Sequence, residues 1–468
     1  MPLFNMKNHK KTGTAVLLMI LAGGFLSASG NKEISSERGT LPVPPLLEGK
    51  NLNLVMQRGE LKLPMGTSKT MGFNGNYLGP TIRVSDGDFV NFNIKNTLGE
   101  DSTVHWHGLH VPAEYDGGPH QVIKAGTTWK PSFRIDQKAA TLWYHPHLLG
   151  KTAEHVYNGM AGMFYIEDAY SKSLPIPQEY AVNDFPLVIQ DRKLNNKGQF
   201  IYSPGRPEIM RGYIGNIVLV NGAYEPFLEI KKGTYRFRIL NGSNSSIYRL
   251  RFSDKRQFTV IASDGGFLPR SFSTASLVMA PAERYEILVD FTEKGKTSLI
   301  TEIYNGDAFK TMDFAVSNNE GTFYPHPAAF KYTPVAYDKG KNIQRTFRME
   351  TRGMGGFTIN GKSMDLNRID FSLKKNSTEI WTIESVGMRM MGIPHSFHVH
   401  DVQFTVLSVN GKKPGPLYSG PKDTILLMPG DRIVIALRFQ DYTGIYMYHC
   451  HFLEHEDSGM MGQFMVEE

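Results

Sequence analysis

Alternating apolar and polar residues mark short strands throughout the chain. Between Val90 and Lys95, apolar side chains occupy every second position, and Asn or Lys fills the positions between them. This period of two is the pattern of a β-strand with one buried face. Such runs are bounded by Asn-Gly pairs and single glycines, which are turn signals. The pattern therefore predicts an all-β protein.

The order of these signals repeats along the chain. An Asn-Gly turn, then a Pro, a Gly and an alternating strand begin at Asn74, and the order recurs at Asn221 and more loosely at Asn360, spacings of 147 and 139 residues. Three similar units of this length predict three related β-sandwich or β-barrel domains. We place them at residues 50–170, 180–318 and 345–468, with a Pro-rich linker at 319–344.

Residues 1–30 have the pattern of a secretory signal peptide. Basic residues precede an apolar run from Thr14 to Leu26, and small residues follow it. The run is short for a membrane span, so we predict export to the periplasm, the cell surface or the medium, with an uncleaved anchor as the alternative. Residues 31–49 are polar and contain prolines, which favours a linker. No transmembrane domain is predicted in the mature chain.

Composition agrees with this organisation. The 468 residues include 46 Gly, 26 Pro and one Cys, which suits several short-stranded domains and excludes a disulfide within the chain. The formal net charge is +6, and part of it lies in the predicted signal peptide, so no nucleic acid partner is predicted. We expect a monomer.

The single cysteine lies in the densest group of candidate metal ligands. Cys450 stands between His449 and His451, and His455 and Met460 follow. On a strand, the two flanking histidines face one side and Cys450 faces the other. Two His, one Cys and a weak Met ligand are the donors of a blue-copper centre, so metal ligation by the thiolate is predicted.

Further candidate ligands are histidines with His-x-His spacing in the first and third units. They are His105, His107, His145, His147, His398 and His400, with His395 just upstream of the last pair. One such pair is usually a half-exposed strand pair, but four pairs, one of them flanking the cysteine, indicate a metal cluster. Zinc is the competing metal, but structural zinc usually requires more thiolate than one Cys supplies, so copper fits better.

The other histidines are predicted to have no metal role. None lies between His155 and His326, so the middle unit binds no metal through imidazole and is predicted to be a spacer. We interpret His9, His110, His120 and His326 as surface or structural residues. His155 aligns with His455 of the third unit but has lost its cysteine partner, so it is predicted to be structural.

These motifs resemble the four signatures of the multicopper oxidases. In chain order they are His-Trp-His-Gly, His-Pro-His, His-x-x-His-x-His and His-Cys-His-x3-His-x4-Met, and the run from Leu453 to Met461 is most similar to the bacterial laccase and cuprous oxidase branch. Ser396 departs from the Pro that is common there. The resemblance implies three cupredoxin-like Greek-key β-barrel domains and four copper ions, one of type 1, one of type 2 and a type 3 pair.

Carried over residue by residue, the resemblance implies a ligand set for each ion. The type 1 copper takes His395, Cys450, His455 and Met460. The type 2 copper takes His105 and His398. The type 3 pair takes His107, His145 and His451 on one ion, and His147, His400 and His449 on the other.

The resemblance also implies the reaction. A donor gives single electrons to the type 1 copper, the electrons pass through Cys450 to His449 or His451, and O2 is reduced to water at the other three ions. Asp116 and Glu456 match positions that relay protons in similar enzymes. The alternative interpretation of these two acids is an Asp in a turn and a solvated Glu.

The electron donor is predicted from what the third unit lacks. Members of the branch that look specialised for cuprous ion carry a long Met- and His-rich insertion in the third domain, which covers the type 1 site. The corresponding residues 354–361 of this chain run directly into the next strand without such an insertion. The type 1 edge is therefore expected to be open to phenolic molecules. Oxidation of Cu(I) is the alternative, for which Met388, Met390 and Met391 are either soft ligands or core packing. A copper-free structural protein is disfavoured by the complete ligand set.

Overall fold

The computed structural model describes residues 39–338, 340–352, 356–386 and 392–468. The predicted signal peptide, with His9, and Met354, Met388, Met390 and Met391 lie outside the described residues. Within the described residues the regular structure is mostly β-strand, and the helices are short. The all-β prediction is confirmed.

Two five-stranded sheets form the first third of the described chain. Their strands are β1 (Leu46–Glu48), β2 (Asn51–Leu63), β3 (Gly66–Phe73), β4 (Thr81–Ser85), β5 (Phe89–Asn96), β6 (His105–His107), β7 (Thr128–Trp129), β8 (Ser132–Arg134), β9 (Ala140–His145) and β10 (Gly162–Glu167). One sheet has the order β1-β4-β10-β9-β6, and the other has β3-β2-β5-β7 with β8 also paired to β5. Phe92, Trp106 and Phe164 pack in one core between them, because alternate residues of each strand face inward.

The middle third forms a connected sheet of eleven strands in the described residues. The strands are β11 (Asp184–Arg192), β12 (Ile217–Val220), β13 (Ala223–Tyr224), β14 (Phe227–Asn241), β15 (Tyr248–Phe252), β16 (Phe258–Ser263), β17 (Gly266–Thr274), β18 (Leu277–Met279), β19 (Arg284–Phe291), β20 (Gly295–Ile303) and β21 (Ala308–Glu320). Strand β14 is central, since it pairs with β11, β19 and β21. Phe237, Phe252 and Phe314 lie in its core.

The last third again has two five-stranded sheets. Their strands are β22 (Ile343–Arg352), β23 (Gly356–Ile359), β24 (Phe371–Lys374), β25 (Thr378–Val386), β26 (His395–Val399), β27 (Thr405–Val409), β28 (Thr424–Leu427), β29 (Arg432–Arg438), β30 (Gly444–Cys450) and β31 (Met461–Glu467). The orders are β23-β22-β25-β29-β27 and β24-β31-β30-β26-β28. Phe347, Trp381 and Phe397 pack in the core between the two sheets.

Short helices lie between the strands, and two of them follow strands that carry candidate ligands. They are α1 (Thr152–Tyr157), α2 (Ala169–Ser173), α3 (Arg206–Arg211) and α4 (Leu453–Asp457), with 3-10 helices at Ala113–Tyr115 and Pro416–Tyr418. Helix α1 follows β9, and α4 follows β30, so each comes just after a strand that ends in histidine or cysteine. None of the helices in the described ranges has the length and apolar character needed to cross a bilayer.

The segments predicted as linkers contain ordered contacts. Strand β1 lies within residues 31–49 and pairs in parallel with β4. The Leu41 N–H donates to the Phe227 carbonyl oxygen at 2.8 Å. In the segment 319–344, Phe330 stacks on Phe267 with ring centroids 4.8 Å apart. Apolar residues thus tie both segments to the folded chain, and the domain boundaries themselves stay a prediction.

Candidate metal centres

Strand pairing brings the histidine pairs together. Strands β6 and β9 are antiparallel with His105 opposite His145. In the third domain β26 and β30 are antiparallel with His398 opposite His449. Directly opposed residues of an antiparallel pair project to the same face of the sheet. Histidines that are far apart in the sequence therefore share one surface in each domain.

Cys450 faces away from its two neighbours, into the third-domain core. Its Sγ lies 3.6 Å from Nδ1 of His395 and 3.6 Å from Nδ1 of His455. The Cys450 N–H also donates to the Met460 carbonyl oxygen at 2.9 Å, and Met460 is fully buried. The chain turn through α4 thus returns Met460 beside Cys450. One thiol and two imidazole nitrogens converge there, as a blue-copper site requires.

Burial makes this group a poor site for any occupant except a cation. Burial raises the pKa of the Cys450 thiol to about 12. Burial also lowers the pKa of His455 to about 4 and that of His395 well below 6.5. Both imidazoles are therefore neutral at pH 7 and offer lone pairs. A thiolate is stable here only beside a metal ion, so the donor chemistry fits copper.

The middle domain covers the outer edge of this group. The His455 Nε2–H donates to the Met210 carbonyl oxygen of α3 at 3.2 Å, and Phe357 stacks on the His455 ring at 4.3 Å. His455 is 0% exposed and His395 is 1% exposed. The expectation of an open type 1 edge is therefore wrong for these two rings. For His455 the physical reason is α3, whose partly buried Ile209 and Met210 pack against the third-domain core.

Eight further imidazoles meet between the first and third domains. Five of them donate an outer Nδ1–H to an oxygen: His105 and His400 to Asp116, His398 to Asp423, His145 to Pro146, and His449 to Cys450. These bonds are 2.7–3.0 Å long. An imidazole that donates from Nδ1 carries its lone pair on Nε2. The hydrogen bonds therefore turn the five Nε2 lone pairs inward.

The inward nitrogens approach one another closely. Nε2 of His449 lies 3.1 Å from Nε2 of His147 and 3.2 Å from Nε2 of His400. Because His400 and His449 both carry lone pairs there, they cannot hydrogen-bond to each other. The Nε2 atoms of His105, His145 and His398 are buried without a hydrogen-bond partner among the described residues. Such orphaned lone pairs fit metal ions that accept them.

Burial keeps six of the eight imidazoles neutral. It lowers the pKa of His107, His145, His398, His400 and His451 well below 6.5, and the neighbouring imidazoles lower it further. Burial also lowers the pKa of His147, to about 3. Neutral imidazole is the form that binds metal.

Both predicted acids lie against this imidazole cluster. Asp116 is 3% exposed and accepts from His400 Nδ1 through Oδ2 at 2.7 Å. Glu456 is 1% exposed, and its two carboxylate oxygens lie 3.1 Å from His449 Nδ1 and 3.3 Å from His147 Nδ1. Burial would raise the pKa of Glu456, but these two histidines outweigh it and lower the pKa to about 2. The alternative of a solvated Glu456 is therefore excluded.

Sequence reasoning missed the residues that hold the cluster from outside. Asp423 accepts from His107 Nε2 at 3.1 Å, and the buried Arg284 of the middle domain forms an ion pair with Asp423. The prediction that the middle domain is only a spacer is therefore wrong, since Arg284 and α3 both reach the candidate centres. The only local signal was a pair of charges, Lys422 and Asp423, directly before an apolar strand.

The histidines that are predicted to have no metal role, and that lie within the described residues, are outside both groups. His110 contacts Asp401 at 2.7 Å, His120 contacts Gln463 at 2.8 Å, and His326 contacts Thr259 at 2.7 Å. His155 is fully buried, and its Nδ1 lies 3.0 Å from Ser102 Oγ. In the first domain Ser102 and His155 thus occupy the places that His395 and His455 occupy in the third.

Comparison with known proteins gives one consistent family. Models described as multicopper oxidase match residues 55–171, 162–322 and 333–468. The multicopper oxidase mco of Staphylococcus aureus is 41% identical over 444 residues, 94% of this chain and 94% of that protein. The cell division protein FtsP of Salmonella typhimurium is 36% identical over 474 residues, 94% of this chain and 98% of FtsP.

A solved structure has the same architecture. The laccase-like multi-copper oxidase CueO of the lignin-degrading bacterium Ochrobactrum sp. superposes with a TM-score of 0.85 at 37% identity, covering 91% of this chain and 100% of that one. That protein is described as having oxidase activity towards lignin model compounds and lignosulfonate. The predicted fold of three cupredoxin-like β-barrel domains is confirmed.

Because the buried imidazoles are neutral, we expect the folding stability of the copper-free protein to decrease at acidic pH. Histidines of the unfolded chain take up protons as the pH falls below about 6.5, whereas the buried ones stay neutral down to a pKa of about 4 for His455 and about 3 for His147. Stability is therefore fully present above pH 6.5 and decreases below it, by about 1.4 kcal/mol per pH unit for each such group. We expect the urea midpoint to fall between pH 7.5 and 5.5.

The variant His455→Leu serves as the control for this pH dependence. It removes one proton-binding group, so its midpoint should depend less steeply on pH than that of the native copper-free protein. Equal stability of the native protein at both pH values would contradict the neutral, buried state of these histidines.

Proposed function

Because this chain belongs to the multicopper oxidase family, and is thus a copper-dependent oxidoreductase with O2 as its acceptor, we propose that it is a laccase-like enzyme. It takes single electrons from phenolic donors and uses them to reduce O2 to water. The observation that carries this proposal is the convergence of ten buried imidazoles and one buried thiol into two groups joined at Cys450.

Four copper ions are assigned to these donors. The type 1 site is formed by His395, Cys450, His455 and Met460, and the first three of these have ligand atoms within 4.8 Å of one another. The type 2 site is formed by His105 and His398, and the type 3 sites by His107, His145 and His451 and by His147, His400 and His449. The last three also lie within 4.8 Å of one another. Copper bound there supplies one-electron redox chemistry and the four-electron reduction of O2.

The division among the eight cluster histidines follows the family pattern. His105, for example, has a ring nitrogen within 4.8 Å of ligand atoms of His107 and His145, and likewise of those of His398 and His400. The imidazoles are packed so tightly that distances alone group them in more than one way. The five lone pairs that are turned inward are compatible with each of these groupings.

Cys450 connects the two groups through covalent bonds. Its thiol lies in the type 1 group, while the rings of His449 and His451, bonded to it through one peptide each, lie in the other group. This is the arrangement that alternation of side chains along a strand produces. The short bonded path supports electron transfer between the groups through Cys450.

Asp116 and Glu456 are proposed to deliver protons. Both are buried, and each touches the outer nitrogens of cluster histidines. Asp116 Oδ1 makes no hydrogen bond to the described residues, and the two carboxylate oxygens of Glu456 lie 3.1 Å from His449 Nδ1 and 3.3 Å from His147 Nδ1. Each acid therefore places a carboxylate beside outer nitrogens of cluster histidines, where it can relay protons to the cluster.

Phenolic donors are proposed over Cu(I). The similarity to the CueO of Ochrobactrum sp., with its activity on lignin model compounds, supports aromatic donors. Phe357, stacked on His455, gives the type 1 group an apolar wall on that side. The similarity to FtsP, which is described as a cell division protein, keeps open the alternative of a structural role, and the complete donor set argues against a copper-free one. Export and a monomeric state remain proposals based on the sequence.

Removal of the thiolate tests the type 1 assignment. Serine cannot supply a soft thiolate, so Cys450→Ser should lose the blue absorbance and about 95% or more of the phenol oxidation rate. The eight-histidine cluster is untouched, so the variant should bind about one copper ion fewer than the native protein by mass spectrometry. Phenol turnover near the native rate in this variant would rule out the proposed electron path.

Neutral variants of the two acids test proton delivery. Asp116→Asn and Glu456→Gln should slow reoxidation by O2 about 10²- to 10⁴-fold, while reduction of the type 1 site by a phenol stays near the native rate. Stopped-flow absorbance separates the two half-reactions. Glu114→Gln, an exposed acid two residues before Asp116, is the control and should change neither. Slow reduction with normal reoxidation would assign the acids to the donor side.

Steady-state O2 uptake tests the donor. The copper-loaded protein should oxidise a simple phenol with no added copper, and Cu(I) should be the poorer substrate under the same O2. If phenol oxidation requires excess Cu(II) and stops without it, the cuprous oxidase alternative is correct instead.

A further inference from the structure

Arg284 of the middle domain is completely buried, and all five of its N–H donors are used. Nη1 and Nη2 donate to the two carboxylate oxygens of Asp423 at 2.7 and 2.6 Å. Nε donates to the Thr141 carbonyl oxygen of the first domain at 3.0 Å. The remaining two donors bind the carbonyl oxygens of Ala282 and Asp264 at 3.1 Å. The guanidinium therefore joins all three domains at one point.

The partner of Arg284 holds two cluster histidines. Asp423 Oδ1 accepts from His107 Nε2 at 3.1 Å, and the Asp423 carbonyl oxygen accepts from His398 Nδ1 at 2.8 Å. The two rings stack on each other with centroids 3.7 Å apart. The orientation of both rings thus depends on how Asp423 is placed.

His107 has the opposite orientation to its neighbours. Five of the other cluster histidines donate outward from Nδ1, whereas His107 donates from Nε2 and leaves Nδ1 buried without a partner among the described residues. A neutral imidazole has one N–H and one lone pair, so the bond to Asp423 places the lone pair of His107 on Nδ1. Thr424 Oγ1 also lies 3.1 Å from His107 Nε2 and itself donates to Asp423 Oδ1 at 2.9 Å. Asp423, directly and through Thr424, therefore selects the tautomer in which His107 can bind metal from the Nδ1 side.

Gly108 shows how tightly the ion pair fits behind the histidine strand. It follows His107 with φ of +85°, and a Cβ added there would collide with Asp423 Oδ2 and Arg284 Nη2. The glycine of the His-Trp-His-Gly motif thus leaves the space that the Arg284–Asp423 pair fills. The pair is consequently in direct contact with the strand that carries His105 and His107.

We propose that Arg284 is a positioning residue for the type 2 and type 3 copper sites, acting through Asp423 on His107 and His398; this rests on the proposed function. The planar guanidinium fixes the plane of the Asp423 carboxylate through two parallel charge-assisted bonds. Without it, the carboxylate loses both bonds and rotates, and the tautomer of His107 is no longer selected. The type 1 donors do not touch this pair.

The test compares Arg284→Met with the matched control Arg238→Met. Arg238 is also a buried arginine of the middle domain, it forms a two-pronged pair with Asp184, and its Nη1 donates to Thr141 Oγ1 at 3.3 Å. Its hydrogen bonds, ion pairs and ring contact within the described residues are to Asp184, Thr141, Glu286 and Tyr165, and none is to a cluster imidazole. Both substitutions remove a buried ion pair near Thr141, so they share any loss of general stability. They differ in whether the pair reaches a histidine.

The readouts are copper content, the blue type 1 absorbance and the type 2 paramagnetic resonance signal. Arg284→Met should keep the blue absorbance, lose the type 2 signal and bind cluster copper about 10- to 100-fold more weakly in a chelator competition. Arg284→Lys keeps the positive charge but cannot make the two parallel hydrogen bonds, so it should recover part of the cluster's affinity for copper. Arg238→Met should match the native protein in all three readouts.

Three outcomes distinguish the possibilities. If the native protein itself binds no copper, the proposed function fails. If the native protein binds its full copper complement and Arg284→Met binds cluster copper with native affinity, the positioning role is wrong. The role is also wrong if Arg284→Met and Arg238→Met lose type 1 absorbance and cluster copper in the same proportion. If Arg284→Met does not fold, Asp423→Asn decides by the same readouts, and native cluster affinity in that variant also overturns the proposal.

Discussion

The constraint on which this structure depends is the burial of neutral imidazoles whose lone pairs face one another. Nε2 of His449 lies 3.1 and 3.2 Å from Nε2 of His147 and His400, at a place where water does not reach the rings. Unpaired acceptors at such distances repel each other, and burial lowers the pKa of His147 and His400, which keeps these two rings from taking up protons to relieve the repulsion. A metal ion removes both costs, because it accepts the lone pairs directly. The cluster is therefore organised for cations before any cation is bound.

The outer hydrogen bonds decide which nitrogen each ring presents. Backbone carbonyls of Asp116, Pro146, Asp423 and Cys450 each hold an Nδ1–H, so the orientation of four rings is set by the main chain itself. Main-chain acceptors in β-structure are placed by strand pairing and cannot easily move. Carboxylates hold others, notably Asp116 on His400 and Asp423 on His107. Such outer contacts orient metal ligands as much as the ligands' own backbone does.

The middle domain contributes to both centres without supplying a ligand. Its helix α3 places the Met210 carbonyl oxygen against His455, and its strand β19 begins with Arg284, which pairs with Asp423. Glu454 of α4 in turn accepts from Asn244 of the middle domain at 2.9 Å. These buried polar contacts cross between domains, where an unpaired charge would be costly. They couple the relative placement of the three domains to the geometry of the metal donors.

Sequence alone determined the all-β class, the threefold repeat and the two sets of donors, because these depend on local rules. The period of two predicts strands, and it also separates Cys450 from His449 and His451, since neighbouring side chains on a strand must face opposite sides. Tertiary structure alone decided what surrounds those donors. Nothing near His107 in the chain indicates that Asp423 and Arg284 lie behind it, and nothing near His455 indicates that α3 covers it. The physical reason is that a β-fold forms its sites from residues hundreds of positions apart, and the partners of a buried polar group are set by domain packing, which leaves no periodic signal in the sequence.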